Sequence, residues 1–189
     1  MLKKWVGIVL ATWLASWGAV SVADDDVAAL DRFKEAGAAE MIGTAYGYAV
    51  FPTIGKGGVG IGGAYGEGRV YRRGGALAGN TSVAQVTWGL QLGGQAYSQL
   101  ILFEDERSFD EFTSGNFEFG AQATAVALTA AAGAEANTTG AGTNVSGGQN
   151  DAAIASAGYR KGMAVFTIAK GGLMYEATIG GQKFSYTPK

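Results

Sequence analysis

The chain has 189 residues, 16 acidic against 14 basic, and contains neither cysteine nor histidine. Those absences exclude thiol chemistry, disulfide staples, histidine-based triads, His-containing zinc sites and axial histidine ligands for haem. Only carboxylate, Lys, Tyr or Ser/Thr chemistry remains, so the expectation is a non-enzymatic protein with no catalytic residues, metal or cofactor.

Residues 1–23 read as a secretory signal peptide. Lys3 and Lys4 precede an apolar run from Trp5 to Trp17, and Ser21-Val22-Ala23 offers a small-x-small cleavage site. The run is shorter than the roughly 20 residues a membrane span requires. Cleavage before Asp24 leaves a single domain over 24–189, exported to the periplasm or secreted, and long enough to bury its own core. Losing Lys3 and Lys4 leaves 12 basic residues against 16 acidic ones, a poor balance for a nucleic-acid partner.

Asp24 to about Thr44 predicts a helix, with Asp24, Asp25 and Asp26 at its positive end and Gly43 as a stop. Its six acids against Arg32 and Lys34 favour a helix packed on a sheet over one lying on a membrane. Tyr48 to Phe51 is strand-like and runs into a glycine ladder. Gly58, Gly60, Gly62, Gly66 and Gly68 alternate, with Ala64 completing the series, so one strand face carries almost no side chains. Glycine weakens a strand unless something must come very close. A covering element is therefore expected, with the first helix as the candidate.

Thr81 to Phe103 alternates with period two, as one long strand or two bent at Gly93-Gly94. Ala84, Val86, Trp88, Leu90 and Leu92 share one face; Gln85, Thr87, Gln91, Gln95 and Gln99 share the other. The glutamine row reads as the wet face of a sheet, in preference to a polar groove. Asp105 to Thr113 predicts a short helix with Phe109 and Phe112 facing the body. Phe117 to Ala136 fits helix by propensity and strand by pattern. Asn137 to Asn150 predicts a polar glycine-rich loop, and Met163 to Tyr186 returns to strand character, broken at Gly180-Gly181. Lys170-Gly171-Gly172 weakly echoes Lys56-Gly57-Gly58.

Gly55 to Gly60 fails the Walker pattern, because Gly57 follows Lys56 where Ser or Thr is needed and no helix follows. Successive glycine amides beside Lys56 could still form an anion nest. Arg69, Arg72 and Arg73 form the densest basic cluster, and Arg160-Lys161 form a second. Guanidinium forks suit phosphate oxygens. Glu104, Asp105 and Glu106 are explained by a helix start.

The segment Ala49–Tyr71 resembles the SYLF domain family, whose core is met by Phe51, Pro52, Lys56, Gly57, Gly58, Gly60, Gly62, Gly66 and Gly68. Gly89 to Gln95, Leu100 to Phe103 and Lys170 to Leu173 extend the resemblance over roughly residues 30–186. It implies one β-rich α+β domain: a curved antiparallel sheet or barrel-like body with an N-terminal helix and a short second helix packed on it. Eukaryotic relatives are linked to phosphoinositide membranes and actin, and exported bacterial relatives are described as lipid-binding. The resulting expectation is binding to an anionic phospholipid surface through Lys56, Gly57, Gly58, Arg69, Arg72 and Arg73. The alternatives are a structural or protein-interaction module of the envelope, or a small outer-membrane β-barrel. Against the barrel, the chain closes on Tyr186-Thr187-Pro188-Lys189 in place of an aromatic-terminated strand.

Overall fold

The computed structural model describes residues 22–89, 95–121, 123–128, 158–170 and 177–189. The expected signal segment up to residue 21, the loop at 137–150 and Gly93-Gly94 lie outside these. Helix α1 (Val22–Phe33) passes through a π-helical turn (Lys34–Ala38) into α2 (Ala39–Thr44). Then follow β1 (Gly47–Arg72), β2 (Ala76–Gly89), β3 (Gln95–Phe103), α3 (Glu106–Thr113), β4 (Asn116–Glu118), β5 (Thr124–Leu128), β6 (Met163–Lys170), β7 (Ala177–Thr178) and β8 (Lys183–Pro188). The strands make one curled, half-barrel sheet in the order β4-β8-β2-β1-β3-β6-β5-β7. Its pairings are antiparallel apart from β5–β6, which is parallel. The ambiguous stretch from Phe117 is thus strand at Thr124–Leu128.

The first helix breaks where Gly37 adopts φ 104°, outside helical geometry. Both halves still cover the outer face of the sheet. Ala29, Phe33, Ala36 and Ala38 pack with Val50, Leu100, Leu102, Ala164 and Phe166. Burying Phe33 completely contributes about 2–3 kcal/mol. Inside the curl, Phe51, Ile101, Phe103, Val165 and Phe184 form a second cluster, into which α3 inserts Phe109 and Phe112. The Phe112 ring lies 5.1 Å from both Phe103 and Phe184. Strands β3 and β6 are therefore covered on both faces, which is why Leu100 to Phe103 and Met163 to Phe166 read as unbroken apolar runs. Asp105 caps α3 through a reciprocal bond with Ser108.

Strand β1 does two jobs. Its first arm, Gly47–Lys56, pairs with β3, and its second, Gly60–Arg72, pairs with β2. The arms fold back on each other. A Cβ on Gly68 would lie 2.4 Å from the Val50 carbonyl oxygen, and one on Gly66 would lie 2.8 Å from that of Thr53. The bare glycine face is thus covered by the first arm of its own strand, and the expected cover by the helix is corrected. The helix lies on the opposite side, over Val50, Tyr48 and Tyr71.

The glutamine row also needs correction. Gln85 and Gln99 are buried inside the curl, whereas Val86 on the apolar-looking face is 66% exposed. Curvature turns Gln85 and Gln99 inward, while Gln95 at the start of β3 stays exposed. The amides satisfy one another there: Gln99 Nε2 donates to Gln182 Oε1 at 3.0 Å, and Gln182 Nε2 donates back at 3.1 Å and to Tyr97 Oη. Gln85 donates to the Gly180 carbonyl. A buried polar group that finds such partners avoids most of its desolvation cost.

Candidate anion-binding surface

Strand register gathers several chain segments at one end of the sheet. Gly47 is opposite Phe103, and Phe103 is opposite Met163. Backbone bonds tie Arg73 to Tyr46, Tyr46 to Phe103 and Glu104 to Gly162. Arg72 and Arg73 of the first cluster and the Arg160-Lys161 cluster both lie at this end. Arg72 is exposed, its guanidinium 4.7 Å over the Phe109 ring and donating to Tyr46 Oη. Across α3, Arg107 Nη2 donates to the Lys161 carbonyl.

Arg160 to Met163 form a tight turn closed by two backbone bonds, with Lys161 at φ 54° and Gly162 at φ 80°. Two positive central φ values define the mirror-image hairpin turn, which normally carries Asn-Gly. Among the described residues, Lys161 alone adopts positive φ without being glycine, at a cost of about 1 kcal/mol. The turn presents Arg160 and Lys161 to solvent.

The other arginines of the first cluster serve the fold. Arg73 donates to the carbonyls of Ala45 at 2.8 Å and Thr44 at 2.6 Å, filling acceptors that the end of α2 leaves open. Arg69 Nε lies 3.3 Å from Asp26 Oδ2 on α1, and Tyr71 Oη donates to the same oxygen at 2.6 Å. Asp26 is 3% exposed, and its Oδ1 has no hydrogen-bond partner among the described residues. Burial raises the Asp26 carboxyl above its ordinary value, and the Tyr71 hydroxyl and Arg69 pull it down without cancelling that effect. Burial and Asp26 push the Tyr71 phenol up to about 12, so it remains a donor at neutral pH. Nothing in the acidic run Asp24–Asp26 marks the last residue as the buried one; only the helix phase does.

Lys56, Gly57 and Gly58 sit elsewhere. Lys56 is opposite Gln95 at the start of β3, on whose other side Ala96 faces Lys170. Lys56 and Lys170 therefore flank one strand end, and Gly171-Gly172 lie outside the described residues. Nine residues of the first arm, roughly 30 Å of strand, separate Lys56 from Gly47 at the arginine end. The residues expected to share one site are thus split between the middle of β1, where its arms join, and its C-terminal end. Glu104 to Glu106 serve the helix start, where the Ser108 amide and hydroxyl hold the Asp105 carboxyl below its usual range. Among the described residues no three carboxylates gather closely enough to hold a metal ion.

Beside the Arg160 turn opens a cavity of about 610 Å³. Its walls include Phe119, Ala123, Val126, Met163, Val165 and Ile179, and its rim carries Arg160, Lys161, Glu111 and Glu118.

The model of the family Ysc84, Las17-binding protein actin regulator, matches residues 84–185, more than half of the chain. The chain belongs to the Ysc84 (SYLF) family. The match spans the SYLF-like Gly89–Gln95, Leu100–Phe103 and Lys170–Leu173 segments and starts after the glycine arm of β1. The two arginines that the SYLF domain here commits to its fold, Arg69 and Arg73, thus lie outside the matched range, and Arg160 and Lys161 lie inside it. No curated protein matches the chain.

Proposed function

We propose that this SYLF-family chain is an exported, non-enzymatic protein that binds anionic lipid head groups at the envelope surface. The observation that carries this reading is the placing of Arg72, Arg160 and Lys161 at one end of the sheet. None of the three is ion-paired with a carboxylate among the described residues. Unpaired cations on one surface attract an anionic membrane, by about 1 kcal/mol for each Lys or Arg near it. Export, expected from the first 23 residues, would separate the chain from the actin regulation in the family's description. The test is co-sedimentation with phosphatidylglycerol or cardiolipin vesicles against neutral ones, at low and high salt. Binding only to anionic vesicles, lost with salt and in the double variant Arg72→Glu/Arg160→Glu, is expected. Indifference of the wild-type chain to anionic vesicles would refute the reading.

A protein-interaction role is a second reading, favoured by one feature. Tyr65 is 57% exposed beside Ala84 and near the exposed Val86 on the outer face of β1 and β2. It predicts a partner in pull-downs that Tyr65→Ser abolishes. What weighs against a membrane-spanning barrel is the helix packed on the outer face of β3 and β6, the face a barrel would offer to lipid.

A further inference from the structure

The cavity beside the Arg160 turn is an apolar chamber with a charged mouth. Its floor is formed by Phe119, Val126, Val165 and Ile179, all buried or half-buried. Its volume, about 610 Å³, falls in the range of about 300–1,000 Å³ that accommodates small-molecule ligands. The rim is not electrically balanced. Glu111 lies 3.5 Å from Arg107, and Glu118 lies 3.7 Å from Lys183, so both rim acids have cationic partners. Arg160 and Lys161 have no carboxylate partner among the described residues. The turn that presents them is held firmly. Two backbone bonds close it, and a Cβ on Gly162 would meet Arg107 Nη2 at 2.8 Å and Ser108 Cβ at 2.9 Å. Keeping a lysine in left-handed backbone geometry at the mouth is the kind of strain that accumulates at ligand clamps.

We propose that this cavity binds a single-chain amphiphilic anion, a fatty acid or monoacyl phospholipid, with the chain on the apolar floor and the acidic head between Arg160 and Lys161. The chamber supplies the desolvated surface that a hydrocarbon chain seeks, and the rim supplies charge-assisted donors for a carboxylate or phosphate. This goes beyond the head-group reading and shares only the two rim cations with it.

The test titrates the full chain with the fluorescent fatty acid cis-parinarate and displaces it with palmitate, lysophosphatidylglycerol or glycerol phosphate. Saturable binding, reversed by the two amphiphiles and not by glycerol phosphate, is expected. Ala123→Phe and Val126→Phe, each filling the chamber from a different position, should weaken palmitate about tenfold. Each variant is first shown to keep the wild-type melting temperature, and two positions guard against one that fails to fold. Arg160→Gln/Lys161→Gln should weaken palmitate about tenfold while leaving hexadecanol, which lacks the charge, unchanged. No saturable binding by the wild type, or binding indifferent to both filling variants, overturns the proposal. Vesicle co-sedimentation is read in parallel. Probe binding without vesicle binding leaves the cavity standing and removes the surface reading; the reverse result removes the cavity alone.

Discussion

The two arms of β1 belong to one strand of 26 residues and obey opposite rules. The first arm is side-chain rich: Ala49, Val50, Phe51 and Ile54 are all buried, some facing the helix and others the interior. The second arm buries Gly62, Ala64, Gly66 and Gly68 on its inner face and exposes Gly63, Tyr65 and Glu67 on the other. Bulk on one arm requires bareness on the other, because the same volume cannot be filled twice. Glycine is usually a weakness in a strand; here it is the complement of Phe51 and Ile54.

That contrast can be broken by adding bulk to the bare arm. Gly68→Val drives a side chain into the Val50 carbonyl and the Phe51 ring, and should cost about 3 kcal/mol in chemical denaturation. Gly57→Ala, at a position with no atom within 4 Å of a new Cβ, should stay within about 0.5 kcal/mol of wild type. Equal effects would mean that the arms do not meet. Next in size, Gln99→Leu leaves the Gln182 amide oxygen buried without its donor and should cost about 2 kcal/mol. Adding Gln182→Leu should recover part of that loss, and a double variant no better than the single one would contradict the reciprocal pair.

The smallest effect concerns Asp26, which ties the second arm to α1. Its carboxyl is raised by burial, so the folded state holds this proton more tightly than the unfolded chain. The stabilising contribution is present below the ordinary value of 3.8 and is lost as pH rises through the raised one. Asp26→Asn should flatten that part of a pH–stability curve. An unchanged slope would show that Arg69 compensates the carboxylate fully.

Much of the architecture was legible in the sequence. Period-two runs located β2 and β3, capping residues located α3, and Phe109 and Phe112 announced their burial by spacing. The glycine ladder announced a close approach, but not its partner, because local pattern carries no information on which distant or neighbouring backbone fills a bare face. The glutamine row misled for a related reason. Alternation separates two faces without saying which is inside, and in a curled sheet the narrower interior takes Gln85 and Gln99 and leaves Val86 outside. For the candidate surface, residue type found all the cations, whereas their roles depended on neighbours remote in sequence: Asp26 for Arg69, Thr44 and Ala45 for Arg73.

The folded-back strand also imposes an order of assembly. Its arms, and the β1–β2 pairing from Gly60–Gly89 to Arg72–Ala76, join residues close in the chain and can form with little loop closure. The seam between β2 and β8 joins Asn80 to Thr187, across most of the molecule. Such distant pairing is slow. A newly made chain therefore carries an early glycine-lined hook whose open edge waits for its last strand, and that interval is when the protein is most exposed to mispairing with its neighbours.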